Sequence, residues 1–370
     1  MRTGQGREFC TGLLRSRTKQ PKAGERKGVA QARKPKLDMR RLEKLLKDFS
    51  RVRLAVIGDV LLDEYLRGDA LRISPEAPVP VVHVQGEAIV LGGAGNVVRN
   101  VVSLEAGCEF SSVVGNDSDG DRVISLLEEL GVDAGGVVRA EGRPTTRKTR
   151  VVARGQQIVR VDRETREPIS KPVLTQLLER LPERLRASDA AVLEDYGKGL
   201  LVPAAIRKII ACCTSANVPV SVDPKSKLRP FKGAALLKPN LREAEHLTGV
   251  SASEKGGLDR IAKKLRGAVG NADLVITRGG SGMSLFVPGE SRCDVATSNQ
   301  EVFDVQGAGD TSIAVLALAR AAGATLIEAA VLANAAAGVV VEKIGTATAS
   351  RDEIAARLPA ALAAAREGFA

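Results

Sequence analysis

The sequence predicts an α/β protein, a mostly parallel central sheet with helices on both faces and a small separate β-sheet acting as a lid. Three observations point there. Continuous apolar runs alternate with stretches of helical spacing, as buried parallel strands and their crossover helices require. Two patches, about 65–90 and 145–164, break that rhythm with period-2 alternation and prolines, and these are the predicted lid. Aromatics make up only 2% of the 370 residues and Trp is absent, so the core must be built of Val, Leu, Ile and Ala.

Residues 1–37 carry 11 Lys/Arg against 2 Asp/Glu, which accounts for most of the net charge of +11. This stretch lacks hydrophobic periodicity and reads as a disordered basic extension, either dispensable or a tether to RNA or a membrane surface. The folded domain is expected over 38–370. In "DMRRLEKLLKDFS", Leu42, Leu45, Leu46 and Phe49 recur at helical spacing. "RLAVIGDVLLD" reads as a buried strand that turns at Gly58-Asp59, and "RISPEAPVPVVHV" as a Pro-punctuated hairpin. "GGAGNVVRNVVSLEAG" is a glycine turn into a helix, "CEFSSVVGND" a strand, and "DGDRVISLLEELG" a helix closed by Gly131. After the second β-rich patch come strands "AAVLEDYG", "VPVSVDPK", "AALLKPN", "ADLVITRGG" and "GMSLFVPG". Helices at about 172–186, 201–216, 240–248 and 256–267 lie between them.

Several function classes recede on composition. The apolar segment 311–341 is interrupted by Arg320, Glu328 and Gly323-Ala324-Thr325, so two buried Ala-rich helices explain it better than a membrane span. Five cysteines without a C-x-x-C pair, with two histidines, argue against a zinc site and for thiols in a reducing cytoplasm. With so few aromatics and the basic charge confined to one end, nucleic acid is not the expected partner.

The chemistry-bearing stretches are glycine-rich. "LGGAGNVVRN" fails the G-x-G-x-x-G dinucleotide fingerprint, and "QGAGD" is not a Walker loop because no Gly-Lys-Ser/Thr follows. In "FDVQGAGDTSIAVLALAR", Gly307, Ala308 and Gly309 bare backbone N–H groups for an anion at a helix start. Asp310 there is either a helix cap or a base that takes a proton from an attacking hydroxyl. "KPNLREAEHLTG" sets Asn240 and Glu243 three apart, which makes either an N-terminal capping box or a holder for a hydrated magnesium ion. "ITRGGSGM" is a plain loop or a phosphate cradle made by Thr277, Gly279 and Gly282.

Taken in order across 54–345, these motifs resemble those of the ribokinase-like (PfkB) carbohydrate kinases: an Asp after the first strand, Gly-Gly…Asn, N-x-x-E, T-x-G-x-x-G and G-A-G-D. Within that family "GDVLLDEY", "RISPEAPVPVV", "GGAGNVVRN", "DYGKG", "VDPK" and "NAAAGVVVEKIGTATAS" are similar to the wording of D-glycero-β-D-manno-heptose 7-phosphate kinases, enzymes of ADP-heptose and lipopolysaccharide core synthesis. The resemblance implies ATP and Mg2+ as cofactors and a sugar phosphate as substrate. It implies Asp310 as catalytic base for the anomeric hydroxyl and Gly307, Ala308 and Gly309 as the anion hole. ATP would be bound by Asn240, Leu241, Arg242 and Glu243, with Thr277, Gly279, Gly282 and Asn334, and Mg2+ by Asn240 and Glu243 through water. Asp63, Gly92, Gly93 and Asn96 would hold the sugar. Charge complementarity adds Lys148, Arg150 and Lys198 for the substrate's own phosphate. The family also implies a homodimer through the lid.

Departures from the family's wording are Gln306 in place of Thr, Gly95 before the Asn, and Lys238 before Pro-Asn, the last a candidate phosphate contact. The sequence has no H-x-G-H nucleotidyltransferase motif, so the expectation is the kinase step alone. Competing readings are a kinase for fructose-phosphate, ribose or a nucleoside, and a non-catalytic sugar- or nucleotide-binding regulator.

Overall fold

A computed structural model describes residues 37–225, 227–298 and 302–368. The basic extension predicted over 1–37 lies outside them but for Leu37, as does Cys10.

Nine strands form one sheet in the order β13-β12-β11-β10-β9-β8-β1-β4-β5. These are β1 (Arg53–Gly58), β4 (Gly107–Gly115), β5 (Val137–Ala140), β8 (Ala190–Glu194), β9 (Val220–Asp223), β10 (Leu236–Leu237), β11 (Asp273–Thr277), β12 (Met283–Phe286) and β13 (Cys293–Val295). Every neighbouring pair is parallel except β11–β12 and β12–β13, so the sheet is mostly parallel, as predicted. Strand alternation sorts side chains between two cores. Leu54, Val56, Ala190 and Val192 face one, while Ala55, Ile57, Ala191 and Leu193 face the other.

The first core is covered by α1 (Met39–Asp48), α2 (Ala94–Ser103), α3 (Ser118–Glu129), α8 (Ala308–Ala321), α9 (Leu326–Val341) and α10 (Arg351–Gly368). The second is covered by α4 (Lys171–Arg186), α5 (Pro203–Ser215), α6 (Leu241–Thr248) and α7 (Gly257–Val269). Helices α8 and α9 carry apolar or small residues almost all round and are buried nearly throughout, which accounts for the span-like hydropathy of 311–341. Among the described residues no helix is long and apolar enough to cross a membrane. Cys108, Cys212, Cys213 and Cys293 are free thiols, and no cluster of three or more His, Cys, Asp or Glu there could hold a metal ion.

A second, four-stranded sheet runs β3-β2-β6-β7 from β2 (Val60–Ile73), β3 (Pro80–Gly93), β6 (Arg147–Ala153) and β7 (Gln156–Arg163). The expected turn at Gly58-Asp59 does not form. The chain passes from β1 into β2 with one residue between them, because Asp59 is locked in place by backbone donors from another loop. The hairpin therefore starts earlier and ends later than 65–90, with fourteen residues in each strand.

Candidate active site

Parallel strands end together, and the groups just past those ends share one cleft. Glu194 closes β8, Asp223 closes β9 and the two are register partners. Lys238 follows β10, and Thr277 closes β11 beside Asn240. Against this edge stands the start of α8. Its N-cap, Gly307, has φ +79° and no side chain caps the helix, whereas α6 and α9 are both closed by capping boxes. The first turn of α8 thus presents N–H groups without a side-chain cap at the cleft, the Ala308 N–H reaching only the Val305 carbonyl at 3.4 Å. Gly307 needs its glycine twice over: the left-handed φ, and a Cβ that would come within 2.9 Å of the Asn96 amide.

Asp310, 4% exposed, occupies that first turn. Asn96 Nδ2 donates to its Oδ2 at 2.7 Å and the Tyr196 hydroxyl donates to its Oδ1 at 2.8 Å. Burial pushes its carboxyl up to about 7, against the lowering effect of those two hydrogen bonds. Tyr196 is placed by Asp59, which accepts backbone N–H bonds from Tyr196, Lys198 and Leu200 at 3.1, 2.9 and 3.2 Å. Asp223 pairs with Lys238 at 2.5 Å, and burial raises its carboxyl to about 6. Glu194 is buried with Oε2 unpartnered, and desolvation holds its pKa well above the usual carboxylate range.

Two adjoining cavities meet at Thr277, Gly279, Val305 and Gly309. One, of about 170 Å³, is mostly apolar, lined by Met283, Val302, Ala337 and Val341 with Asn334 at its wall. The other, of about 360 Å³, is polar and holds Glu194, Tyr196, Asp223, Lys238 and Asp310. An apolar slot opening onto a charged chamber with a helix N-terminus between them suits a base attached to a polyphosphate.

The profile of the pfkB family carbohydrate kinases matches residues 52–353. The chain belongs to that family. Membership of this carbohydrate kinase family makes it a phosphotransferase with an alcohol group as acceptor. Among curated proteins it is 43% identical over 286 residues to the bifunctional protein HldE of Trichlorobacter lovleyi, a match covering 77% of this chain and 58% of that protein. It is 45% identical over 277 residues to HldE of Pelobacter propionicus, covering 74% and 57%. The chain thus spans less than three fifths of the length of these relatives. Among solved structures, Arabidopsis thaliana ribokinase complexed with ribose and ATP superposes with a TM-score of 0.65 at 21% identity, covering 83% of this chain and 98% of that one. Escherichia coli phosphofructokinase-2 in its tetrameric inhibited form gives 0.68 at 20% identity, covering 83% and 99%. These likenesses establish the ribokinase-like fold.

The fold brings most of the residues singled out in the sequence to this cleft. Gly307, Gly309, Asp310, Asn240, Glu243, Thr277 and Gly279 line the polar cavity, and Ala308, Gly282 and Asn334 the apolar one. Leu241 and Arg242 do not line either cavity: Leu241 packs on the second core and Arg242 is exposed, since the first turn of α6 offers only one face to the cleft. Asn240 and Glu243 form the capping box, Oδ1 accepting from the Glu243 amide at 2.9 Å and Oε2 from the Asn240 amide at 3.0 Å. Glu243 also pairs with Lys225, so this pair suits a magnesium ion only through water.

Asp63 is buried in a 2.5 Å pair with Arg150, and a Cβ on Gly92 would come within 2.1 Å of its Oδ2. Gly93 contributes as the N-cap of α2, the helix that carries Asn96. Lys148 and Lys198 converge on Glu164, at 3.0 and 2.6 Å, so their charge is already compensated. Tyr196, Glu194, Asp223, Asp59 and Arg99 also belong to this site or its support, and no motif in the sequence singles them out. Arg99 bonds to Asn96 Oδ1 and the Thr346 carbonyl, near Asp63 and Asp310. The signal for three of them is visible in "AAVLEDYG" and "VPVSVDPK", apolar strands that end abruptly in acids.

Proposed function

We propose that the chain transfers the γ-phosphoryl group of ATP to the anomeric hydroxyl of D-glycero-D-manno-heptose 7-phosphate, giving the 1,7-bisphosphate and ADP. The observation that carries the chemistry is Asp310, a buried carboxylate with a raised pKa at the mouth of an uncapped helix, facing a polar cavity. A base with pKa near the working pH combines ionisation with proton affinity. Asp310 accepts the acceptor's proton, Asn96 and Tyr196 hold its two oxygens in place, and Gly307, Ala308 and Gly309 form the anion hole whose backbone amides stabilise the charge on the transferring group. The apolar cavity takes the adenine, with Thr277, Gly279, Gly282 and Asn334 around the nucleotide.

Oxygen donors suited to Mg2+ are present at Asn240 and Glu243, reached through water, with the unpartnered Oε2 of Glu194 in the same cleft. When bound, Mg2+ would draw charge from the β- and γ-phosphate oxygens. The four-stranded sheet acts as a lid whose inner residues, Asp63, Gly92 and Gly93, meet the sugar, and whose outer face suits pairing with a second copy. Lys148, Arg150 and Lys198 reach the acceptor's phosphate only by sharing charge with Glu164 and Asp63. Choice of the heptose rests on "RISPEAPVPVV", "DYGKG" and "VDPK", since the fold is common to many sugar kinases.

The test is ADP release across a panel of acceptors: heptose 7-phosphate, fructose 6-phosphate, fructose 1-phosphate, ribose and adenosine. The reading requires kcat/KM to be highest for heptose 7-phosphate, and a better rate with any other member of the panel overturns the substrate while leaving the kinase.

A further inference from the structure

Lys238 has no part in the mechanism above, yet it lies at its centre. Strand β10 is only two residues long, so residue 238 leaves the sheet at the edge where the cleft begins. The side chain is 2% exposed, and its ammonium sits 2.5 Å from Asp223 Oδ2. A Cβ placed on Gly309 would stand 3.8 Å from Lys238 Nζ and 3.9 Å from Asp223 Oδ2. The buried ammonium therefore flanks the second residue of the uncapped helix, one position before Asp310.

A buried Lys–Asp pair contributes little to stability over an apolar pair of the same volume, so packing gives no reason for it here. Charge balance does. Five carboxylates line the polar cavity against two lysines, Lys225 and Lys238. Lys225 is more than half exposed and holds Glu243. A polyphosphate entering among those acids needs a desolvated positive charge on the floor. Burial acts to lower the pKa of Lys238, but Asp223 and Glu194 outweigh it and the ammonium stays charged. It carries three donors, of which the Asp223 contact uses one.

We infer that Lys238 is a second catalytic residue, donating to the γ-phosphate oxygens of the nucleotide during transfer while Asp223 holds it at the sheet edge. The inference rests on the kinase reading. In the step, the bond from the γ-phosphorus to the β–γ bridging oxygen breaks and its electron pair leaves with ADP. A new bond forms from phosphorus to the acceptor oxygen, whose proton goes to Asp310, and Lys238 keeps its own protons throughout.

The test compares two nucleotides that differ at the γ-phosphate, so it needs no knowledge of the acceptor. Binding of ADP and of the non-hydrolysable ATP analogue AMP-PNP, both with magnesium chloride, is measured by calorimetry on wild type, K238M and K238R. K238M should hold ADP within about twofold of wild type and lose about tenfold or more in AMP-PNP affinity, the scale of one charge-assisted hydrogen bond, with K238R recovering part of the loss. Equal weakening of both nucleotides, or no change in either, overturns the inference and leaves Lys238 a structural partner of Asp223. If K238M does not fold, K238M/D223N removes both charges together and is read in the same way. Wild-type protein that binds neither nucleotide would overturn the kinase reading itself, a result distinct from the loss of AMP-PNP selectivity.

Discussion

The floor of the cleft and the charged face of the four-stranded sheet both crowd acids against bases, yet they drive carboxylates in opposite directions. On the floor, burial dominates: Asp310 is raised to about 7 and Asp223 to about 6, although Asn96, Tyr196 and Lys238 all favour the ionised forms. At the sheet, burial also acts to raise the acids but loses. Lys198 and Lys148 bring Glu164 down to about 2, and Arg160 and Lys148 do the same for Asp162. The difference lies in water and partner count. Acids with two or more cations at hand become fixed anions, whereas a buried acid held by neutral donors keeps a proton affinity useful near neutral pH. The same residue type is a strut in one place and the proposed base in the other.

Removing the proposed base, Asp310, breaks the comparison most severely. D310N should lower turnover by about 10²–10⁴-fold, the usual share of a general base, with nucleotide affinity retained. A residual rate above about a tenth of wild type would make the base worth less than about 1.4 kcal/mol and end its assignment. The same substitution should raise the melting temperature at pH 8. Because the folded-state pKa of Asp310 is raised from 3.8 to about 7, its contribution to stability is complete below 3.8 and lost as pH rises through about 7. Asparagine escapes that loss, and a lower melting temperature than wild type at pH 8 would contradict it.

A smaller change sharpens the same point. Y196F deletes a hydrogen bond that lowers the Asp310 pKa, so the acid limb of kcat/KM should move to higher pH, with about a tenfold loss of rate at pH 7. An unmoved limb would show that the tyrosine does not touch the base in the working enzyme. The smallest effect belongs to the sheet. E164Q leaves Lys148 and Lys198 without their shared acid and should cost about 1–2 kcal/mol of stability in denaturant titrations, solvent screening keeping the figure low. Its kcat should stay within about twofold of wild type, while the freed Lys198 ammonium lowers the KM for a phosphorylated acceptor, Lys148 keeping its pair with Asp162. A fall in kcat as large as that of Y196F would erase the division between strut and base.

Much of the fold was legible because parallel strands announce themselves as continuous apolar runs, and each strand named in the sequence recurs in the nine-stranded sheet. What escaped were elements with weak periodic signals. Strands β5 and β13 have four and three residues, and α10 hides its Ile354, Leu358 and Leu362 spacing among alanines and an internal Pro359. The start of β2 was misread because Asp59 reads as a turn former, while its carboxylate is consumed by amides 137 to 141 positions away. At the site, the glycine turn and Asp310 could be found from local motif. Their setting could not, because the Tyr196 contact and the Asp223–Lys238 pair depend on β8, β9 and β10 ending side by side. The capping box of Asn240 and Glu243 was visible as one of two readings, and both hydrogen bonds of that box are formed.

The contrast between the two regions is tested most directly by titrating carboxyl carbons by 13C NMR in protein labelled at aspartate, with the Asp310 resonance assigned by its loss in D310N. The account predicts a midpoint near 7 for Asp310 and one near 2 for Asp162 in the same sample. A midpoint for Asp310 at or below its ordinary value of 3.8 would mean that burial does not set this carboxylate apart, and the case for it as the base would fall.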